Sequence, residues 1–254
     1  MSDDTQPLAR LLRIMARLRD PEVGCEWDRA QTFATIVPHT IEEAYEVADA
    51  VARGDLADIR DELGDLLFQV VFQARIAEES GHFAFDDVAQ SIADKLEARH
   101  PHIFGDEAHP GGERDARWEA IKATERAAKG AVSAMDGVAL ALPALMRAQK
   151  LQKRAARDGF DWPDTTGPEA KIVEEIEELR TASSDTVVEE CGDFLFAAVN
   201  LVRSYGVDAE DALRLGNAKF ERRYRAMERR AEGRFASLTL DEQEALWQDV
   251  KAAE

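Results

Sequence analysis

Cysteine is scarce in this chain of 254 residues: there are two, Cys25 and Cys191, and neither has a second thiol at ligand spacing. That excludes a disulfide framework and a thiolate zinc centre, and it fits a reducing, cytoplasmic setting. Basic charge is in deficit too, with a formal net charge of −19 and a pI near 4.7. No stable duplex nucleic-acid surface is expected, because rows of phosphate need cations to neutralise them. Small anions stay admissible, since a divalent cation at a carboxylate cluster inverts the local field. No segment approaches about eighteen uninterrupted apolar residues, so no membrane span is expected. The start, MSDDTQPLARLL, lacks a basic stretch leading into an apolar core, so secretion is not expected either. No convincing strand pattern occurs.

What the chain does have is helical periodicity, as in Leu63, Leu66, Leu67, Val70, Val71 and Ala74. The spacing predicts helices over about 7–19, 40–53, 55–80, 85–99 and 115–128, then 141–157, 168–182, 185–204, 208–231 and 239–252. Its 45% hydrophobic content fills a real core.

The two sets of helices correspond. DELGDLLFQVV at 61–71 returns as EECGDFLFAAV at 189–199, with six of eleven positions identical. GCEWD matches GFDWP, IEEAYEV matches VEEIEEL, DKLEARH matches AKFERRY, and ARWEAIK matches ALWQDVK, at offsets of 124 to 135 residues. One unit has been duplicated. The predicted domains are 1–130 and 131–254. Wide apolar faces such as FQVVFQARIA and FLFAAVNLV are costly in water, so each unit is expected to bury its own against another unit, within the chain or in a second copy.

The acids are repeated with the core. Glu43 and Glu46 stand three apart on a helix, as do Glu62 and Asp65; an antiparallel hairpin brings the four face to face. Glu175, Glu178, Glu190 and Asp193 repeat the layout, with eleven residues between the pairs in place of fifteen. One helical turn is missing from that link, which bears on how the second hairpin is placed. Hard oxygen donors suit Mg2+, or Mn2+, rather than zinc or copper. All five histidines lie in the first half, and the Glu-x-x-His pattern of di-iron bundles is absent. Two readings of these acids compete: a metal cage, or helix caps and solvated faces. Thr40 with Glu43, and Thr186 with Glu189, have the spacing of a capping box.

Cations recur at helical spacing as well: Lys95 with Arg99, and Lys219 with Arg223, either ordinary surface charges or phosphate contacts. Trp118 with Lys122 and Trp247 with Lys251 each place an aromatic and a cation on one helical face, as core residues or as a base-stacking wall with a phosphate contact. Asn217, a candidate donor to phosphate or sugar, has Ala93 as its counterpart. Gly64 and Gly192, inside helices, suggest close helix packing or room beside a metal.

Together ELGDLLFQVVF, KLEARHPHIF, WEAIK and the paired acids resemble the MazG family of nucleoside triphosphate pyrophosphohydrolases, in its tandem two-domain form. The resemblance runs from LLRIMARLRD to LWQDVKAAE. It implies an all-α fold of two tandem MazG-like helical bundles, an intertwined homodimer, and Mg2+-dependent cleavage of NTPs or dNTPs to the monophosphate and pyrophosphate. By matching motif, Glu175, Glu178, Glu190 and Asp193 resemble the metal ligands. Lys219, Arg223, Trp247 and Lys251 resemble the substrate contacts, Lys219 also being counted among the catalytic groups. The second domain is the implied catalytic one and the first is implied to be structural or regulatory, although Glu43, Glu46, Glu62, Asp65, Lys95 and Arg99 match the motif too. Two other functions compete: an all-helical regulatory or scaffold protein with structural metal sites, and a specialised pyrophosphohydrolase for dUTP or a modified nucleotide.

Overall fold

The computed structural model describes residues 6–105, 121–125, 127–128 and 130–254, and no strand occurs among them. They group into two compact units, Met1–Trp118 and Glu119–Glu254. The first contains α1 (Pro7–Leu18), α2 (Glu26–Ala30), α3 (Phe33–Arg53), α4 (Leu56–Glu79), α5 (Phe85–Arg99) and α6 (Pro101–Phe104). The second contains α7 (Ala144–Arg157), α8 (Thr166–Thr181), α9 (Val187–Ser204), α10 (Ala209–Arg230) and α11 (Leu240–Ala252), with a 3₁₀ turn at Phe235–Ser237. The helix predicted at 115–128 falls partly outside the described residues; 121–125 are helical. No described helix is long and apolar enough to cross a membrane.

Each unit is organised around a helical hairpin, α3 with α4 and α8 with α9. In the first, Gly54 ends α3 at φ 75°, a left-handed conformation that glycine adopts without a Cβ penalty. Asp55 then caps α4 by accepting from the backbone N–H groups of Ala57 and Asp58. The missing turn of the second hairpin has been taken from the helix ends. The first link has two residues between Arg53 and Leu56, the second has five between Thr181 and Val187, and α8 stops only three residues past Glu178. The acids therefore keep their place while the hairpin tip shrinks.

Neither predicted capping box forms. Thr40 lies inside α3 and its hydroxyl donates to the Ile36 carbonyl at 3.2 Å. The helix begins seven residues earlier, where Thr32 and Thr35 cap each other. Pro38 sits in the second turn of α3, where it lacks the N–H that would bond the Ala34 carbonyl, and the helix nevertheless runs through it. Thr186 makes no side-chain cap bond; its oxygen accepts from the Ser183 N–H instead.

The first unit has a large-residue core of Met15, Ile36, Val71, Phe72 and Ile76, fringed by Leu11, Leu12, Leu18, Phe68 and Phe85. Each such side chain contributes about 1.5–3 kcal/mol by leaving water. The second unit buries smaller groups, among them Ala197, Val199, Ala209 and Val250, together with the polar side chains of Gln149, Gln152, Glu175 and Asn200. Position 72 shows the contrast: Phe72 is fully buried, and its repeat counterpart, 128 residues on, is Asn200.

Candidate active site

The hairpins bring three of each four predicted acids together. Carboxylate oxygens of Glu43, Glu62 and Asp65 lie within 4.8 Å of one another, and so do those of Glu175, Glu190 and Asp193. The same three positions converge in both copies, and the second acid of each Glu-x-x-Glu pair, Glu46 or Glu178, stands outside the trio. Gly64 and Gly192 do not mark close helix packing, since an added Cβ would meet nothing within 4 Å at either position. They leave open space beside the acids.

Uncompensated carboxylates repel one another and favour the protonated form. Partial burial, then repulsion from Glu178, Asp193, Glu189 and Glu175, pushes the Glu190 carboxyl above the usual range. Glu43 is raised by burial, by a hydrogen bond with Glu46 and by the Asp65 charge. Glu62 is raised by burial and by Glu46, Asp65 and Asp58.

The copies differ in what stands beside the first acid. Glu43 is half-buried and accepts a long hydrogen bond, 3.4 Å, from Gln69. Glu175 is 2% exposed; one oxygen is 2.7 Å from the Lys171 ammonium and the other, Oε2, has no hydrogen-bond partner. Lys171 also reaches Glu174 at 2.9 Å, and the two carboxylates hold its ammonium above the ordinary lysine range. An orphaned buried carboxylate oxygen is costly. In an all-oxygen trio it fits a hard divalent cation, Mg2+ or Mn2+, which would be held by Glu175, Glu190 and Asp193.

Beside this trio the second unit opens a cavity of about 700 Å³, which Lys171, Glu175, Glu178 and Asp193 line on one side. Phe160, Trp162 and Phe196 contribute aromatic surface, and Gln152, Asn200 and Arg203 contribute polar groups. Gly167 positions Trp162: a Cβ there would fall 2.0 to 2.4 Å from indole ring atoms, so only glycine lets the ring close on the start of α8. Arg203 donates to Asn200 Oδ1 and forms a two-pronged ion pair with Asp161. That guanidinium holds the Asp161 carboxyl below the usual range.

The predicted cations and aromatics sit on other helices. Lys219, Asn217 and Lys251 are exposed. Arg223 pairs with Glu254 at 2.6 Å and lies over the half-buried Trp247 ring at 5.4 Å; that ring also packs on Phe220. No hydrogen bond or ion pair among the described residues joins Lys219, Trp247 or Lys251 to the trio. Lys95 and Arg99, on α5 of the first unit, are half-buried, and so is Lys122, which falls in the second unit. Trp118 lies outside the described residues.

Sequence reasoning missed Lys171 and the cavity wall. Lys171 carried a signal, since it precedes Glu175 by four and so shares its helical face. The wall did not, because its members come from α7, α8, α9, the loop between α7 and α8, and Met135 ahead of α7.

Residues 31–104 match the family model for the MazG nucleotide pyrophosphohydrolase domain, and residues 143–216 match that for phosphoribosyl-ATP pyrophosphohydrolase. The chain is 55% identical to the nucleoside triphosphate pyrophosphohydrolase of Escherichia coli K12, over 96% of this chain and 97% of that protein. It is 44% identical to the nucleoside triphosphate pyrophosphohydrolase/pyrophosphatase MazG of Thermotoga maritima, over 86% of this chain and 84% of that one. Twin helical hairpins with matching acid trios and likeness along nearly its whole length lead to one assignment: the chain belongs to the MazG family of nucleoside triphosphate pyrophosphohydrolases and is an enzyme of that hydrolase class.

Proposed function

We propose that the chain cleaves nucleoside triphosphates, with ribose or deoxyribose, between the α- and β-phosphates, releasing the monophosphate and pyrophosphate. The catalytic copy is the domain spanning 131–254. The observation that carries this choice is Glu175: a buried carboxylate with an unpartnered oxygen, in an acid trio that borders a cavity. Glu43, its counterpart, is only half-buried and accepts from Gln69.

A bound Mg2+, or Mn2+, would supply charge neutralisation and Lewis acidity toward the triphosphate. The chain's own groups do the rest. Water attacks the α-phosphorus, the bond to the α–β bridging oxygen breaks, and pyrophosphate leaves with that oxygen. The water's proton passes to a carboxylate, and Glu178 suits this role because it lines the cavity and stands outside the trio. Lys219, Arg223, Lys251 and Trp247, with Asn217, are the proposed contacts to the triphosphate.

Those contacts lie on α10 and α11 and not on the trio's hairpin, and an intertwined homodimer is the proposed means of bringing such groups to a site. Large apolar side chains left in solvent support a dimer: Val188 (81% exposed), Leu215 (70%) and Leu195 (55%). Glu43, Glu46, Glu62 and Asp65 form the corresponding first site, in a structural or regulatory role, and Lys95, Arg99, Trp118 and Lys122 are the counterparts, by repeat position, of the proposed substrate contacts. The protein is proposed to work in the cytoplasm, independently of membranes and duplex nucleic acid.

The test is incubation of the full chain with each NTP and dNTP and Mg2+, followed by separation of products. Monophosphate with pyrophosphate is expected. Diphosphate with phosphate overturns the α–β cleavage position, and no product from any nucleotide overturns the reading and returns the scaffold alternative.

A further inference from the structure

We propose that the stretch of chain leading into α7, residues 132–138, is a working part of the second unit's site: Arg154 grips it on both sides of Met135 and so sets that side chain as one wall of the cavity. The proposal rests on the pyrophosphohydrolase reading of the neighbouring acids. It adds to that reading a positioning residue, Arg154, and a wall that the acid-bearing hairpin does not supply.

The stretch is built as a bracket. Arg154 Nη1, on α7, donates to the Ala134 carbonyl at 2.7 Å and to the Asp136 carbonyl at 3.2 Å, the two carbonyls that flank Met135. The Asp136 carboxylate accepts from the Val132 and Ser133 N–H groups at 2.8 and 3.0 Å, and the Met135 N–H donates to Ser133 Oγ at 3.2 Å. Gly137 then turns the chain at φ 77°, and Val138 is buried just beyond it. Backbone on either side of residue 135 is fixed.

What the bracket holds is not a core residue. Met135 is 40% exposed, and it lines the cavity beside the acid trio. Ordering a loop costs conformational entropy, and the arginine's bonds to two carbonyls offset that cost without burying the side chain between them. A segment that served only to cover α7 would turn its large apolar group inward, as happens at Val138. The thioether suits a wall, because an unbranched and polarizable side chain adapts to what it touches. Leu151, Gln152 and Ala155 of α7 also line the cavity, so one helix carries both a side of the site and the anchor of the bracket.

The test uses the full chain with Mg2+ and reads KM and kcat for pyrophosphate release from NTPs, with calorimetric binding of nucleoside monophosphates alongside. Met135→Ala, at a part-exposed position, should raise KM and weaken monophosphate binding by about fivefold or more, with kcat changed far less. Met135→Leu, of similar volume, should recover most of that loss. Arg154→Met removes both carbonyl bonds and should cost about as much as Met135→Ala. In the double variant the two losses should not add, because the grip acts through Met135. Fully additive losses, or an Arg154→Met effect confined to melting temperature, reduce Arg154 to a structural role and overturn the proposal. So does a Met135→Ala variant that binds and turns over like wild type. Wild type that binds monophosphates without releasing pyrophosphate fails the hydrolase reading, while the binding comparison still decides the proposal; wild type that does neither overturns both.

Discussion

Replacing Lys171 with methionine probes the second acid site without touching a proposed ligand. The Lys171 ammonium lies 2.7 Å from Glu175, whose side chain is 3% exposed, while Lys171 itself is 35% exposed. Removing one partner of a fully buried pair costs about 3–5 kcal/mol because the other charge is left alone in low dielectric. With a third of Lys171 in solvent, water screens part of that interaction, and about 2 kcal/mol is the expected loss. In a chain of this size that lowers the melting temperature by roughly 4–8 °C. The loss should be largest in chelator and should shrink as Mg2+ is added, because a divalent cation takes over the neutralisation of Glu175. The linkage has a second reading: a metal that relieves the variant's unpaired carboxylate binds it more tightly than wild type, by up to about 30-fold for 2 kcal/mol. Thermal melts of both proteins across a Mn2+ series measure the two effects together. An unchanged melting temperature in chelator refutes the reasoning. So does a loss that Mn2+ leaves intact, since the lysine would then serve packing alone.

Two further outcomes follow from the same geometry. Glu43, Glu62 and Glu190 have folded-state pKa values raised above the ordinary 4.5, so their ionised forms cost stability. Metal-free protein should therefore gain stability as pH falls from neutral through the raised values, the gain ending near 4.5, and Mn2+ affinity should weaken across the same window; melts showing monotonic loss below neutral pH would count against the acid repulsion described here. Gly167→Ala forces the Trp162 ring off the start of α8, because the new Cβ would sit 2.0 to 2.4 Å from it. A changed tryptophan emission and a raised KM for nucleotides, with little change in Mn2+ affinity, are the expected results, and identical spectra and kinetics would contradict that placement.

Much of the fold was legible because helix periodicity and duplication are local signals. The hairpin helices at Leu56–Glu79 and Val187–Ser204 lie within two residues of their predicted ends. The start of α3 was not legible: Thr40 and Glu43 imitate a capping box, while the helix begins at Phe33 behind the Thr32–Thr35 cap. The clustering of acids was readable from spacing, since residues three apart share a helix face and a hairpin turns two such faces toward each other. Which acid stands aside was not, because it depends on how the two helices are rotated against each other. The cavity was beyond sequence reasoning for a related reason. Its aromatic and polar wall is assembled from segments that no period connects, and the exchange of Phe72 for Asn200 looks like an ordinary substitution until burial is known.

The central claim is that the second acid site carries the chemistry. Its most direct test is pyrophosphate release from NTPs with Mg2+ by two single variants, Glu190→Gln and Glu62→Gln, each confirmed folded by circular dichroism. Abolished release in Glu190→Gln with near-normal release in Glu62→Gln is the predicted result. Normal release in Glu190→Gln with loss in Glu62→Gln would contradict it and move the active site to the first domain.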